Sequence, residues 1–199
     1  MSETESGPLL VVITGPSGVG KDAILARLKA LGRPYHFAVN ATTRPPRAGE
    51  AEGVDYHFLS GERFDEMLAR GEFLEHATVY DQRKGVLRPP LREALAAGRD
   101  VITRTDVQGA GYIKSVCRGA VTIFLLPPSW DELERRLRSR ETDTPEQLDL
   151  RLRTARAEID AAGKFDHTVV NDDLDAAVAE IERILAAERA RPGRRRVVV

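Results

Sequence analysis

Gly15-Pro16-Ser17-Gly18-Val19-Gly20-Lys21 follows the pattern G-x-x-x-x-G-K, and each residue type in it has a chemical reason. Glycines let the backbone curl until several N–H groups point inward at one anion, and a helix starting behind them adds partial positive charge. Lys21 has the reach to meet the outer phosphates of a nucleotide. The position after the lysine ordinarily carries a hydroxyl that ligates Mg²⁺; here it is Asp22, whose carboxylate is also a good ligand for a hard cation. A second group of charges follows at Thr42-Thr43-Arg44-Pro45-Pro46-Arg47. Proline favours an extended backbone with three residues per turn, so Arg44 and Arg47 are expected to leave the same side and present two guanidinium forks to one phosphate.

These residues need a frame. Leu9-Leu10-Val11-Val12-Ile13 reads as a buried strand leading into the glycine-rich turn, and Ala23 to Leu28 reads as the helix behind it. A second strand is expected over His36 to Ala41, with further strands at Val101-Thr103, Ala120-Leu126 and His167-Val170. Helical patterns lie between most of them. Ser129 with Glu132, and Thr144 with Pro145 and Gln147, are start signals. Leu148, Leu152, Ala155 and Ile159 share one helical face, as do Leu174, Ala177, Ile181 and Ile184 or Leu185. Alternating strands and helices predict an α/β fold with a parallel sheet covered on both faces. The stretch 40–90 breaks the rhythm and reads as an inserted subdomain. The expected organisation is a core of 8–39 and 99–189, a lid at about 136–151, and a basic tail at 190–199 expected to be solvated.

Composition narrows the function. The 199 residues carry a net charge of -1, which argues against a general nucleic-acid binder. No apolar run approaches the ~20 residues of a membrane span. The acidic start, Ser2-Glu3-Thr4-Glu5, is unlike a secretory signal, and the single Cys117 fits a reducing compartment. A cytoplasmic enzyme acting on small molecules is the expectation, with neither nucleic acid nor membrane as a partner.

The acceptor side makes the reading specific. Thr42-Thr43-Arg44-Pro45-x-Arg47-x-Gly49-Glu50 runs into Gly53-x-Asp55-Tyr56-x-Phe58, then Gly71-Glu72-Phe73-Leu74-Glu75-His76-Ala77 and Asp106-x-Gln108-Gly109-Ala110. Arg136-Leu137-x-x-Arg140 and Asn171-Asp172-Asp173 follow. In order and spacing this set resembles the guanylate kinase family of P-loop nucleoside monophosphate kinases. The resemblance implies a P-loop NTPase-type sheet with a small GMP-binding insertion and a lid, ATP as co-substrate, Mg²⁺, and phosphorylation of GMP to GDP. It implies that Arg44, Arg47 and Tyr56 bind the GMP phosphate and that Glu75 reads guanine. Asp106 would help organise Mg²⁺ and the acceptor, Arg136, Arg140 and Arg151 would be lid arginines, and Asn171 would lie near the adenine of ATP. Asp22 and Asp106 are the candidate metal ligands.

Several positions depart from the family's usual residues. Asn40 stands where serine is common, Lys84-Gly85-Val86 replaces a Tyr-Gly-Thr or Tyr-Gly-Ser, and Arg104 sits two before Asp106 where an acid is often found. Lys84 is expected to take over phosphate binding, and Asn40 and Val86 remain acceptor-site candidates. Two alternatives stay open: a ribose 1,5-bisphosphate kinase-type enzyme, which also carries Gly-Lys-Asp, and a catalytically silent interaction module.

Overall fold

A computed structural model describes residues 7–79, 82–139 and 144–199. Five parallel strands form the core sheet in the order β2-β7-β1-β8-β9: β1 Leu10–Thr14, β2 His36–Phe37, β7 Val101–Arg104, β8 Val121–Leu126 and β9 His167–Val170. The alternation along β1 builds the layers. Leu9, Val11 and Ile13 pack on one face against Ile24, Leu25 and Leu28 of α1 (Lys21–Ala30) and Ala177, Ile181 and Leu185 of α7 (Leu174–Ala190). Leu10 and Val12 pack on the other face against Leu91 and Ala94 of α3 (Arg88–Ala96) and Ala110 and Ile113 of α4 (Val107–Val116). The α/β fold expected from the alternating pattern is what the chain forms.

The expected strand over His36 to Ala41 is two strands. Its first half is β2, paired with β7; its second half begins β3 (Asn40–Thr42), which belongs to another sheet. That sheet has the order β4-β3-β6-β5, with β4 Tyr56–Phe58, β5 Phe73–Val79 and β6 Gln82–Leu87. It rests on α2 (Gly61–Ala69), whose Phe64 stacks on Phe73 with ring centroids 4.3 Å apart. Alternation alone cannot tell which sheet a strand joins, so the crossing at Ala38-Val39 left no mark in the sequence.

Two helices complete the site's surroundings. The apolar faces of α5 (Trp130–Arg138) and α6 (Pro145–Asp160) meet through Leu133, Leu137 and Ala155, with Leu148, Leu152 and Ile159 beside them. Thr144 and Gln147 form a full capping box at the start of α6, whereas at α5 only Ser129 caps, because Glu132 turns to Arg135 and Arg136. The basic tail is solvated only in part: Arg191, Arg195 and Arg196 are exposed, but its end docks. Val197 is buried among the residues of the α3–α4 side of the core, Arg194 donates to the carbonyls of Gly7 and Pro8, and Arg92 Nε donates to Val199 O at 2.5 Å. Val197, with Val199 partly covered beside it, supplies apolar surface that gains by docking.

Candidate active site

The loop after β1 closes on itself. Gly20 has φ 101°, a left-handed conformation that glycine adopts without strain, and a Cβ there would come within 2.4 Å of the Asn171 amide nitrogen. That closeness is used: Asn171, buried just after β9, donates from Nδ2 to Val19 O at 2.7 Å. Asn171 therefore braces the loop from behind. Lys21 lies across it, its ammonium donating to Gly15 O at 2.5 Å and Pro16 O at 3.0 Å. Desolvation pushes the Lys21 pKa down to about 8, partly offset by the negative charges of Glu158, Asp22 and Asp106. At neutral pH the ammonium remains mostly charged, as a phosphate-binding lysine requires.

Facing the loop is the second sheet. Arg44 is buried, and Glu50 takes its guanidinium bidentately at 2.5 and 2.6 Å while also accepting from the Arg47 backbone N–H at 2.8 Å. The Arg44 fork holds the Glu50 carboxyl down at about 2, so the pair stays charged at any physiological pH. Arg47 is exposed. The two arginines thus line one cleft, but Arg44 is fixed by an acid that the proline spacing did not reveal. The Arg44 guanidinium sits 4.9 Å from the centroid of the Tyr56 ring, and that of Arg104 sits 5.0 Å from it. Lys84 enters from β6, its pKa lowered by desolvation and then by Arg44.

Glu75 is buried on β5 and accepts from the Thr105 hydroxyl at 3.2 Å. Desolvation, then the charge of Asp106, pushes its pKa up to about 7. Asp106 caps α4, accepting from Gly109 N at 2.8 Å, and α4 approaches so closely that a Cβ on Gly109 would lie 2.7 Å from the Glu75 carboxyl carbon. Glycine at 109 is what lets the helix start beside that carboxylate. Gly15, Ser17, Lys21 and Asp22 line the same cleft as Asn40, Arg44, Arg47, Tyr56, Glu75, Lys84 and Asp106, with Arg151 from α6 closing it.

The family model described as guanylate kinase matches residues 8–188. The chain belongs to the guanylate kinase family. It is 47% identical over 185 residues to the guanylate kinase of Anaeromyxobacter dehalogenans, covering 92% of this chain and 82% of that protein. It is 46% identical to that of Gloeobacter violaceus, covering 90% and 87%. The crystal structure of guanylate kinase from Anaplasma phagocytophilum superposes with a TM-score of 0.79 at 32% identity, covering 97% of this chain and 92% of that one.

Not every residue singled out in this family member reaches the cleft. Val86 is a correction: it is buried in the α3–α4 side of the core, opposite Glu75 in the β5–β6 ladder, and takes no part in the lining. Asn40 borders the cleft with its amide already in use, donating to Arg104 O at 2.6 Å and accepting from Thr103 at 3.3 Å. Arg136 is ion-paired with Glu132 at 2.6 Å on α5 and is not one of the residues lining the cleft, and Arg140 lies outside the described residues. Glu158 was missed. It stands one turn beyond Thr154 on the inner side of α6, carries a pKa raised by desolvation, and faces Lys21. The helical period placed its neighbour Ile159 in the apolar seam but gave no sign that the adjacent carboxylate would face the loop.

Proposed function

We propose that this chain transfers the terminal phosphoryl group of ATP to GMP, giving ADP and GDP, with the residues of the cleft in the following roles. The loop Gly15 to Lys21 cradles the ATP phosphates, and Lys21 exchanges its carbonyl partners for phosphate oxygens. Arg44, Arg47, Tyr56 and Lys84 bind the GMP phosphate. Arg44 contributes a pre-oriented fork because Glu50 holds it. Glu75 reads the base: one carboxylate accepts from both N1–H and the exocyclic amine of guanine, a donor pair that adenine lacks. Leaving such a buried group unpaired discriminates strongly, by as much as ~10⁴. The observation that carries the reading is that this buried carboxylate opens on the same cleft as the Lys21 loop.

Catalysis then rests on positioning and charge rather than on a covalent intermediate. Arg151 faces the cleft from the lid helix, where closure would exclude water from the transfer. Mg²⁺ keeps several waters and takes few protein ligands when it travels with nucleotide phosphates. Asp22 and Asp106 border the cleft beside the loop, and each engages Oδ1 with a protein partner, Arg104 and Gly109 N respectively. That donor set fits an ion brought in by ATP, for which Asp22 and Asp106 would offer an oxygen. The bound ion would supply charge neutralisation at the outer phosphates.

The test is a coupled assay with ATP and a panel of GMP, dGMP, AMP, UMP and ribose 1,5-bisphosphate. GMP should give the highest kcat/KM; a higher value for AMP or the ribose bisphosphate would overturn the assignment.

A further inference from the structure

Two of the departures from the family pattern touch. Asp22, in the first turn of α1, pairs with Arg104 Nε at 2.7 Å. One position carries an acid where a hydroxyl is usual, the other a base where an acid is frequent, and across this contact their charges cancel. Stability alone does not explain the pair. The Asp22 side chain is 81% exposed, and ion pairs with so exposed a partner contribute little to folding.

The setting of Arg104 is more informative. It ends β7, in parallel register with Ile13 of β1, whose continuation is the phosphate loop. Its carbonyl accepts from Asn40 at the start of β3, in the acceptor sheet. Its guanidinium is held at one edge by Asp22 and lies 5.0 Å from the centroid of the Tyr56 ring. Among the described residues no other side-chain partner takes its terminal nitrogens, and the residue lines the cleft. Lys21 from the loop and Lys84 from the acceptor sheet line the same cleft as Arg104. Three cations therefore repel one another along the line from donor to acceptor, with Asp22 as a partial counterweight. An anion between them resolves that repulsion.

We propose that Arg104 is a phosphate-binding residue that bridges the donor and acceptor phosphates, and that Asp22 is a positioning residue acting through it. This rests on the kinase reading above but names a contact that reading does not contain. A planar guanidinium held at Nε by an acid keeps its terminal N–H groups directed outward as a fork suited to oxygens from two phosphates at once. Its contribution should be greatest when both nucleotides are present, because only then is charge concentrated between the two subsites.

The experiment compares wild type with Arg104→Ala, Arg104→Lys, Asp22→Ala and Asp22→Ala/Arg104→Ala. Binding is measured by calorimetry in EDTA with GMP alone, ATP alone, and a compound joining adenosine and guanosine through five phosphates. Arg104→Ala should weaken the joined compound roughly 10-fold or more, change either nucleotide alone less than about threefold, and lower kcat by roughly 10- to 100-fold. Arg104→Lys should recover part of the loss. Asp22→Ala should weaken the joined compound in the wild-type background and add nothing once Arg104 is gone. Equal affinity of Arg104→Ala and wild type for the joined compound overturns the proposal. So do independent, multiplying effects of the two substitutions on the joined compound in EDTA, where no metal is bound. Wild-type turnover of GMP in the same series tests the kinase reading separately.

Discussion

Glu75→Gln separates what the Glu75 site costs from what it does. Glu75 is 5% exposed, with the Thr105 hydroxyl as its hydrogen-bond donor and Asp106 nearby, and its carboxyl titrates at about 7 instead of its ordinary 4.5. The native state therefore holds this proton more tightly than the unfolded chain. As pH rises from about 4.5 the unfolded chain releases it first, so native stability falls through that window and levels off above about 7. A displacement from 4.5 to about 7 is worth on the order of 3 kcal/mol. Glutamine mimics the protonated carboxyl, and its amide oxygen still accepts from Thr105. In the absence of nucleotide, Glu75→Gln should be the more stable protein at pH 8, by up to roughly 3 kcal/mol. That corresponds to a Tm higher by roughly 5–10 °C for a chain of this size. The difference should nearly vanish at pH 5. Taking the difference between two proteins cancels every other group that titrates alike in both.

Activity should move the other way. Glutamine turns a donor toward the guanine donors, so kcat/KM for GMP should fall roughly 10- to 100-fold. Wild-type KM for GMP should drop as pH rises through 7 and the carboxylate forms, and the variant should lack that component. The assays are thermal melts from pH 5 to 8 and GMP titrations at saturating ATP. Melting curves of variant and wild type that keep the same offset at pH 5 and pH 8 would refute the reasoning, because the buried carboxyl would then carry no displaced proton.

Two further outcomes are expected. Lys84→Ala should raise KM for GMP roughly 10-fold or more, the loss of a charge-assisted contact to phosphate, while leaving KM for ATP nearly unchanged; the wild-type advantage should shrink as salt is raised in the titration. Deleting residues 194–199 should lower Tm by roughly 3–8 °C, since Val197 alone buries a side chain worth about 1.5–3 kcal/mol. Neither KM should change, because the tail docks on Gly7 and Pro8, before β1 begins, and the phosphate loop follows the other end of that strand.

What the sequence made legible follows the range of each interaction. The unbroken apolar run Leu9 to Ile13 specifies a strand buried on both faces, and the capping box at Thr144 specifies where α6 starts; both signals are local, and both elements form. The glycine pattern before Lys21 is equally local. Val86 shares a face with Lys84, two residues earlier, and with Glu75 opposite it, but at its end of β6 that face is covered by the α3–α4 side of the core; alternation names the face, not where the cleft ends. Other features of the site depend on contacts between distant segments. Glu50 lies six residues from Arg44, yet no spacing rule says that a loop glutamate will seize the arginine. Asn171 braces Val19 across 152 positions, and Thr105 meets Glu75 across 30. Asp22 and Arg104 show the limit most directly. Each is visible in the sequence as a departure at its own position, one reading as a metal ligand and the other as unexplained. Only the parallel pairing of β1 with β7 brings the two side chains together. That pairing turns two separate departures into one ion pair beside Lys21.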